Sequence, residues 1–396
     1  MNAIALIDGE HHGDVVRDAL AELPFDFIGA ILVGGTEKLR GGEDYGVPLV
    51  TSLEDARAEV VVDLSDEPVL GPRERMLWAS KALALGLEYV GADFRFWPPA
   101  YLPAPSVPSL AVIGTGKRIG KTAVTGHLAR LLSQRGDVVV VSMGRGGPAE
   151  PELVQVAPTI DQLLDISRAG GHAASDYLET AALAGVPTIG CRRAGGGLAG
   201  DVLTSNLRRG IELAEERRPD LVVFDGSGAS IPPVSVDARV LVVGPLQDAT
   251  AYLNPYRVLV SDLVLLVGGG EAAPIRELKD VPVIPVELRL RPVTPLGGRR
   301  VAAFTAGPAP VDHLEADVIH VSRNLADRTA LREELKTVDA DVFLVEIKAA
   351  AIDVVAEAAV ERGIECVFAA NDVRPLEPGV DLDAEFLSLV PQPVAG

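Results

Sequence analysis

Short apolar runs rich in valine, isoleucine and leucine recur along most of the chain, at residues 4–7, 28–33, 60–64, 110–113, 138–141, 221–224, 240–243 and 263–267. Longer stretches of Ala, Leu, Glu and Arg separate them. Runs without polar alternation belong to strands covered on both faces. Strands alternating with helical stretches build βαβ units around mostly parallel sheets. The whole chain therefore reads as α/β.

Two proline-rich zones punctuate this pattern. Pro98, Pro99, Pro103, Pro105 and Pro108 crowd the segment after Trp97. Proline fixes φ and restricts its predecessor, so 98–108 reads as a stiff, extended linker. Pro282, Pro285, Pro292 and Pro295 interrupt a later apolar pattern and suggest a softer boundary. Beyond it, 301–304, 318–321, 342–345 and 366–369 look like strands of another small unit. The expected organisation is an N-terminal Rossmann-like α/β unit (1–97), the linker (98–108), a central unit (109–298) and a small C-terminal α/β unit (299–396).

The sharpest chemical signal opens the central unit. A buried-type strand runs into Gly114, Thr115, Gly116, Lys117, Arg118, Ile119 and Gly120, and then into an Ala/Leu-rich helix beginning Lys121, Thr122, Ala123. This is the logic of a P-loop. Backbone N–H groups at a helix N-terminus cradle phosphate oxygens, the lysine reaches the β- and γ-phosphates, and the hydroxyl binds Mg²⁺. Nucleotide contacts are therefore expected from Gly114, Thr115, Gly116, Gly120, Lys121, Thr122 and Ala123, with ATP and Mg²⁺ as cofactors. The strict G-x-x-x-x-G-K-[ST] pattern wants glycine where Thr115 stands, with Gly114 one place earlier. That variant resembles the loop of dethiobiotin synthetase and its relatives, which implies a P-loop NTPase domain of that kind. A second apolar run, 221–224, ends in Asp225, as a Walker B strand ends in the carboxylate that holds Mg²⁺.

Charge narrows the partners. Lys plus Arg number 36 and Asp plus Glu 56, a net charge of −20. Such a chain offers no general surface for nucleic acid or an anionic membrane. A small anionic substrate needs the few cations to converge, and Lys117, Arg118, Lys121, Arg145, Arg192 and Arg193 all sit in glycine-rich loops. Glycine permits close backbone approach and Arg offers a bidentate fork to phosphate. Solvated surface turns are the plain alternative for Arg145, Arg192 and Arg193.

Other polar residues carry weaker signals. His172, Ser175, Asp176 and Tyr177 could meet substrate at a helix start, although Ser175 or Asp176 serves equally as an N-cap. His11 and His12 follow Asp8, Gly9 and Glu10 at a strand end, but adjacent histidines do not make a metal site. Asp63, Asp66 and Glu67 read as a solvated turn. Lys348 follows a strand at the edge where α/β sheets bind ligands. Asn254 and Arg257 are no stronger. Cys191 and Cys366 fit a reducing compartment rather than a disulfide scaffold. The N-terminus lacks a basic signal-peptide region, and no apolar run reaches the roughly 18 residues of a membrane helix. A cytoplasmic protein is expected.

Taken together, these segments resemble the cyclic 2,3-diphosphoglycerate synthetase family. The resemblance rests on Ile7-Asp8-Gly9-Glu10-His11, on Gly114 through Thr122, and on Met143-Gly144-Arg145-Gly146-Gly147-Pro148. Ala194 through Gly200 and Glu346 through Ala351 are also similar, so the matching segments span most of the chain. It implies ATP-dependent closure of 2,3-bisphosphoglycerate to cyclic 2,3-diphosphoglycerate, with release of ADP and phosphate. In that reading Lys121 serves the β- and γ-phosphates, Thr122 and Asp225 serve Mg²⁺, and Lys117, Arg118, Arg145 and Arg193 serve the transferring or substrate phosphates. The partner is a small molecule, and a homodimer is the candidate assembly. Two rival readings remain at this stage. One is a kinase that makes 2,3-bisphosphoglycerate from 2-phosphoglycerate. The other is a nucleotide-driven switch or metallochaperone, which would want Cys/His clusters or a guanine-specific Asn/Thr-Lys-x-Asp segment. Asn371-Asp372-Val373-Arg374 lacks that lysine.

Overall fold

The computed structural model describes residues 1–34, 39, 41–54, 57–307 and 309–391. Its first sheet contains β1 (Asn2–Ile7), β2 (Asp26–Leu32), β3 (Val60–Asp63), β4 (Glu88–Val90) and β5 (Arg95–Phe96) in the order β2-β1-β3-β4-β5. All its pairs are parallel except β4–β5.

The second sheet has thirteen strands. They are β6 (Ser109–Gly114), β7 (Val138–Gly144), β8 (Glu152–Val154), β9 (Thr188–Ala194), β10 (Thr204–Ser205), β11 (Leu221–Asp225), β12 (Ala238–Val243), β13 (Leu263–Val267), β14 (Val283–Pro292), β15 (Arg300–Phe304), β16 (Asp317–Ser322), β17 (Val342–Glu346) and β18 (Glu365–Pro375). The path is β10-β9-β7-β11-β6-β12-β13-β14-β18-β17-β15-β16, with β8 paired to β9. From β9 to β14 every pair on the path is parallel, and so is every pair from β18 to β16. The apolar runs read as strands all fall within or at the ends of strands. Their side chains fill cores on both faces of the sheet, as continuous apolar strands require.

The zone from Pro282 to Gly298 holds a strand as well as prolines. β14 runs through its first part and joins the two parallel blocks by antiparallel pairing with β18. Pro285 fits because it accepts from the Leu376 N–H at the outer end of that pairing, so its missing donor costs no central ladder bond. The register has a further consequence. β13 pairs with β14 up to Val286, whereas β18 takes over from Val286 to Pro292. β17 meets β18 only at Glu365–Ala369, the far end of that ribbon. The carboxyl ends of the two parallel blocks therefore point toward each other across the β14–β18 ribbon. Carboxyl edges are where open α/β sheets bind ligands.

The 98–108 segment is extended but fastened to the central unit. The Leu102 N–H donates to the Pro233 carbonyl and the Ser235 N–H to the Leu102 carbonyl, each at 2.9 Å. The Tyr101 and Tyr256 hydroxyls lie 2.8 Å apart. One apolar core runs from Leu70, Leu83 and Leu87 of the first unit to Leu253 and Tyr256 of the second.

Candidate functional site

β6 lies between β11 and β12, and the loop from Gly114 to Gly120 leaves its carboxyl end. Gly120 closes the loop at φ 95°, a left-handed conformation that favours glycine, and the helix Lys121–Ser133 follows. A Cβ on Gly120 would also lie 2.7 Å from Leu288 of β14, so the ribbon presses directly on the loop. Val124, Leu128 and Leu132 bury one stripe of the helix. Lys121 folds back so that its ammonium donates to the Gly116 carbonyl at 2.8 Å. Thr115 donates its hydroxyl to the Gln247 side chain, and its N–H bonds the Val242 carbonyl at 3.1 Å. Arg118 holds the left-handed φ of 57° without being glycine, a local strain that surrounding structure must support.

Asp225 ends β11 and is buried, with one oxygen accepting from the Thr125 hydroxyl at 3.1 Å. Its β7 neighbour in register is Ser142, whose buried hydroxyl has no partner. Burial depresses the Lys121 ammonium below the ordinary lysine range, against the pull of Asp225 and Asp176. Burial likewise pushes the Asp225 carboxyl above the carboxylate range, against the pull of Lys121. Each of the two groups is short of countercharge or hydrogen bonds.

Arg193 lies near enough to Lys121 for the two positive charges to oppose each other. Arg193 donates to the Gly195 and Ser227 carbonyls, both at 2.7 Å, and its buried Nε has no partner. Burial and the nearby Arg145 charge lower the Arg193 guanidinium. A Cβ placed on Gly228 would meet Arg193 Nη2 at 3.5 Å and Lys117 Cγ at 3.6 Å, so that glycine lies between the two cations. Arg145, Lys117 and Arg118 are exposed. Arg192 is exposed as well, and its backbone N–H is taken by Asn206 at 2.8 Å. Asp176 opens the helix Asp176–Ala184 and accepts from the Ser227 hydroxyl at 3.3 Å. Glu179, one turn on, is buried, and Lys348 from beyond β17 donates to both of its carboxylate oxygens.

Sequence reasoning missed Thr125, Ser142, Glu179, Ser227 and Gln247. Two carried a signal. Thr125 is four residues after Lys121 and so shares its helix face. Glu179 is the one charge after Asp176 in an otherwise apolar helix. Ser142, Ser227 and Gln247 enter only through folding.

The weaker candidates divide. Asp63 is not in a solvated turn: it is buried, accepts from the Tyr89 hydroxyl at 2.8 Å and lies 3.4 Å from the Arg75 guanidinium. The hydroxyl of Tyr177 donates to Glu152 at 3.3 Å. Arg257 is a core residue, donating to the Ala229 and Leu198 carbonyls. His172 is exposed, with ring atoms 3.9 Å from where a Cβ on Gly146 would stand, beside Arg145. Asp8 and His11 form a separate pair at the end of β1, 2.7 Å apart.

The residues at Asp225 suit a magnesium ion that arrives on nucleotide. A poorly compensated carboxylate, the Ser142 hydroxyl without a partner and threonine hydroxyls on the first helical turns are hard oxygen donors, and Mg²⁺ takes few protein ligands beside substrate phosphates. Among the described residues, no cluster of three or more His, Cys, Asp or Glu side chains could hold a metal by itself. No helix among the described residues is long and apolar enough to cross a membrane.

Three family models match the chain: the N-terminal domain of cyclic 2,3-diphosphoglycerate synthetase over residues 2–97, its P-loop domain over 109–281 and its C-terminal domain over 292–372. A protein of that name from Rubrobacter xylanophilus is 48% identical, covering 96% of this chain and 96% of the relative. Namesakes from Thermococcus kodakarensis and Pyrococcus horikoshii are 40% and 39% identical, covering 98% and 92% of this chain and 98% and 91% of those relatives.

Proposed function

The chain belongs to the cyclic 2,3-diphosphoglycerate synthetase family, and from that premise we propose that it uses ATP to close 2,3-bisphosphoglycerate into cyclic 2,3-diphosphoglycerate. It is an enzyme of the ligase type with a nucleotide-binding P-loop domain. The observation that carries the reaction is the buried Lys121–Asp225 pair beneath the loop, with Arg193 near Lys121 and Arg145 and Lys117 near Arg193.

In the proposed sequence, an oxygen of one substrate phosphate attacks the γ-phosphorus of ATP, and the bond to ADP breaks. The second substrate phosphate then attacks the activated phosphorus. The P–O–P bond made in the first step breaks, and inorganic phosphate leaves as the ring closes. Both steps bring like charges together, so positioning and neutralisation dominate over any protein nucleophile. Lys121 binds the β- and γ-phosphates, and the backbone of Gly114, Thr115, Gly116, Gly120 and Ala123 cradles them. Lys117, Arg118, Arg145 and Arg193 bind the transferring and substrate phosphates. Thr122 and Asp225 would hold Mg²⁺, which neutralises phosphate charge when bound. The division of the chain at 97, 108 and 298, and assembly as a homodimer, belong to the same proposal.

The test is ADP release with Mg·ATP, with and without 2,3-bisphosphoglycerate, followed by phosphorus NMR. Substrate-dependent ADP with a cyclic pyrophosphate signal is the expected result. ADP release driven by 2-phosphoglycerate, with no ring signal from 2,3-bisphosphoglycerate, would replace this reading with the kinase.

A further inference from the structure

The P-loop is supplied by the central unit, and the strand edge that faces it carries a cation that the scheme above does not use. Lys348 follows β17, whose carboxyl end faces that of β6 across the β14–β18 ribbon. Its position is built. Glu346, two residues before it, accepts from the Ala306 N–H at 2.8 Å and from the Asn371 side chain at 3.0 Å. The Lys348 N–H bonds the Glu346 carbonyl at 2.8 Å. Ala349 then turns the chain at φ 43°, a left-handed conformation costly for any residue with a Cβ. Strain of this kind persists only where the surrounding structure over-determines the backbone.

Its ammonium meets the central unit at Glu179, near enough to Lys121 for the two positive charges to oppose each other. Glu179 is 4% exposed in its side chain and lies 169 residues from Lys348 in the chain. A buried carboxylate that reaches across two units for one lysine is a poor device for stability, because desolvation offsets most of the attraction. It is a good device for fixing a cation in space. The Lys348 side chain keeps 38% of its surface open. An ammonium has three donors, so at least one remains after both Glu179 oxygens are served.

We propose that Lys348 is the phosphate-binding residue contributed by the C-terminal unit to the acceptor side of the site, and that Glu179 is its positioning residue. The inference rests on the reading under Proposed function. Its ligand class is a phosphate dianion presented toward the γ-phosphate of ATP. Lys348 there counters the charge that builds as the two anions approach, from the acceptor side, while Lys121 holds the β- and γ-phosphates.

The experiment uses the full chain and three variants, Lys348→Met, Lys348→Arg and Glu179→Gln, with ADP release, phosphorus NMR and separate titration of ATP binding. Lys348→Met should lower kcat about 10²–10³-fold while ATP affinity stays within about threefold, the pattern of a lost transition-state contact. Lys348→Arg should recover at least about tenfold of that loss, because charge and not packing is at issue. Glu179→Gln should lower kcat less, and the Glu179→Gln/Lys348→Met double variant should be no slower than Lys348→Met alone. Full turnover in Lys348→Met, loss of ATP binding in step with kcat, or additive losses in the double variant would each overturn the proposal. Wild-type protein that makes no ring product sinks the functional reading instead, and the variants then read Lys348 through ADP release alone.

Discussion

Two strands of this protein end almost alike. β1 runs through Ile4, Ala5, Leu6 and Ile7 to Asp8-Gly9, and β11 runs through Val222, Val223 and Phe224 to Asp225-Gly226. Both carboxylates are buried at the carboxyl edge of a parallel sheet. Their surroundings are opposite. Asp8 accepts from the Glu10 N–H at 3.0 Å, the Asp66 N–H at 2.9 Å and the His11 ring at 2.7 Å. Burial alone would raise it, but these bonds outweigh burial and hold it below the usual carboxylate range. Asp225 has the Thr125 hydroxyl and the attraction of Lys121, and burial wins. The first carboxylate is satisfied and ties two loops together. The second is poised for a cation. An apolar run ending in Asp thus specifies a place in the sheet, and the arriving loops specify a role.

The largest break in this comparison comes from the poised side. Lys121→Met should cut ADP release about 10²–10³-fold, because an electrostatic donor to the transferring group is lost. Full turnover in a steady-state assay would remove the core of the proposed function. Asp225→Asn should come next, with about 10²-fold lower kcat at saturating Mg²⁺. Urea unfolding of that variant should show stability equal to or above wild type, since a poorly compensated buried charge has gone.

Asp8→Asn should do the reverse. An amide cannot accept all three of those bonds, so stability should fall by about 1–3 kcal/mol. The kcat of the folded fraction should stay within about threefold of wild type. Were Asp8→Asn to lose turnover without losing stability, the satisfied strand would belong to the chemistry after all.

The smallest effect sharpens the contrast through pH. Mg²⁺ needs Asp225 deprotonated, and its raised pKa means that activity should be lost as pH falls through a point above the usual carboxylate range. Phosphate needs Lys121 protonated, and its lowered pKa means that activity should be lost as pH rises through a point below the usual lysine range. A kcat/KM profile should therefore be narrower than unperturbed groups would give. A flat profile across both regions would contradict the burial argument. Asp8, already ionised well below that window, should leave the profile unchanged in Asp8→Asn.

The P-loop was legible in the amino-acid order because it is local. Strand, glycine turn and helix start lie within one short segment, and the dihedral demand at Gly120 and the N–H groups at the helix start come from neighbours in the chain. The apolar runs marked the strands for the same reason, since an unalternating run has to be covered on both faces. The order of strands, the inversion at β14–β18 and the meeting of Glu179 with Lys348 were not legible. The strand that runs through the prolines of the β14 zone was hidden because only the partner strand reveals which donors its ladder can spare. Which of Asp8, Asp63 and Asp225 is satisfied was not legible, because hydrogen-bond satisfaction depends on loops distant in sequence, such as the one that brings the Asp66 N–H to Asp8. By itself the sequence determined the α/β class, the nucleotide loop and the supply of cations, all short-range properties of the chain. Tertiary structure alone decided which charges meet and which are satisfied, because burial and countercharge are properties of the space around a group.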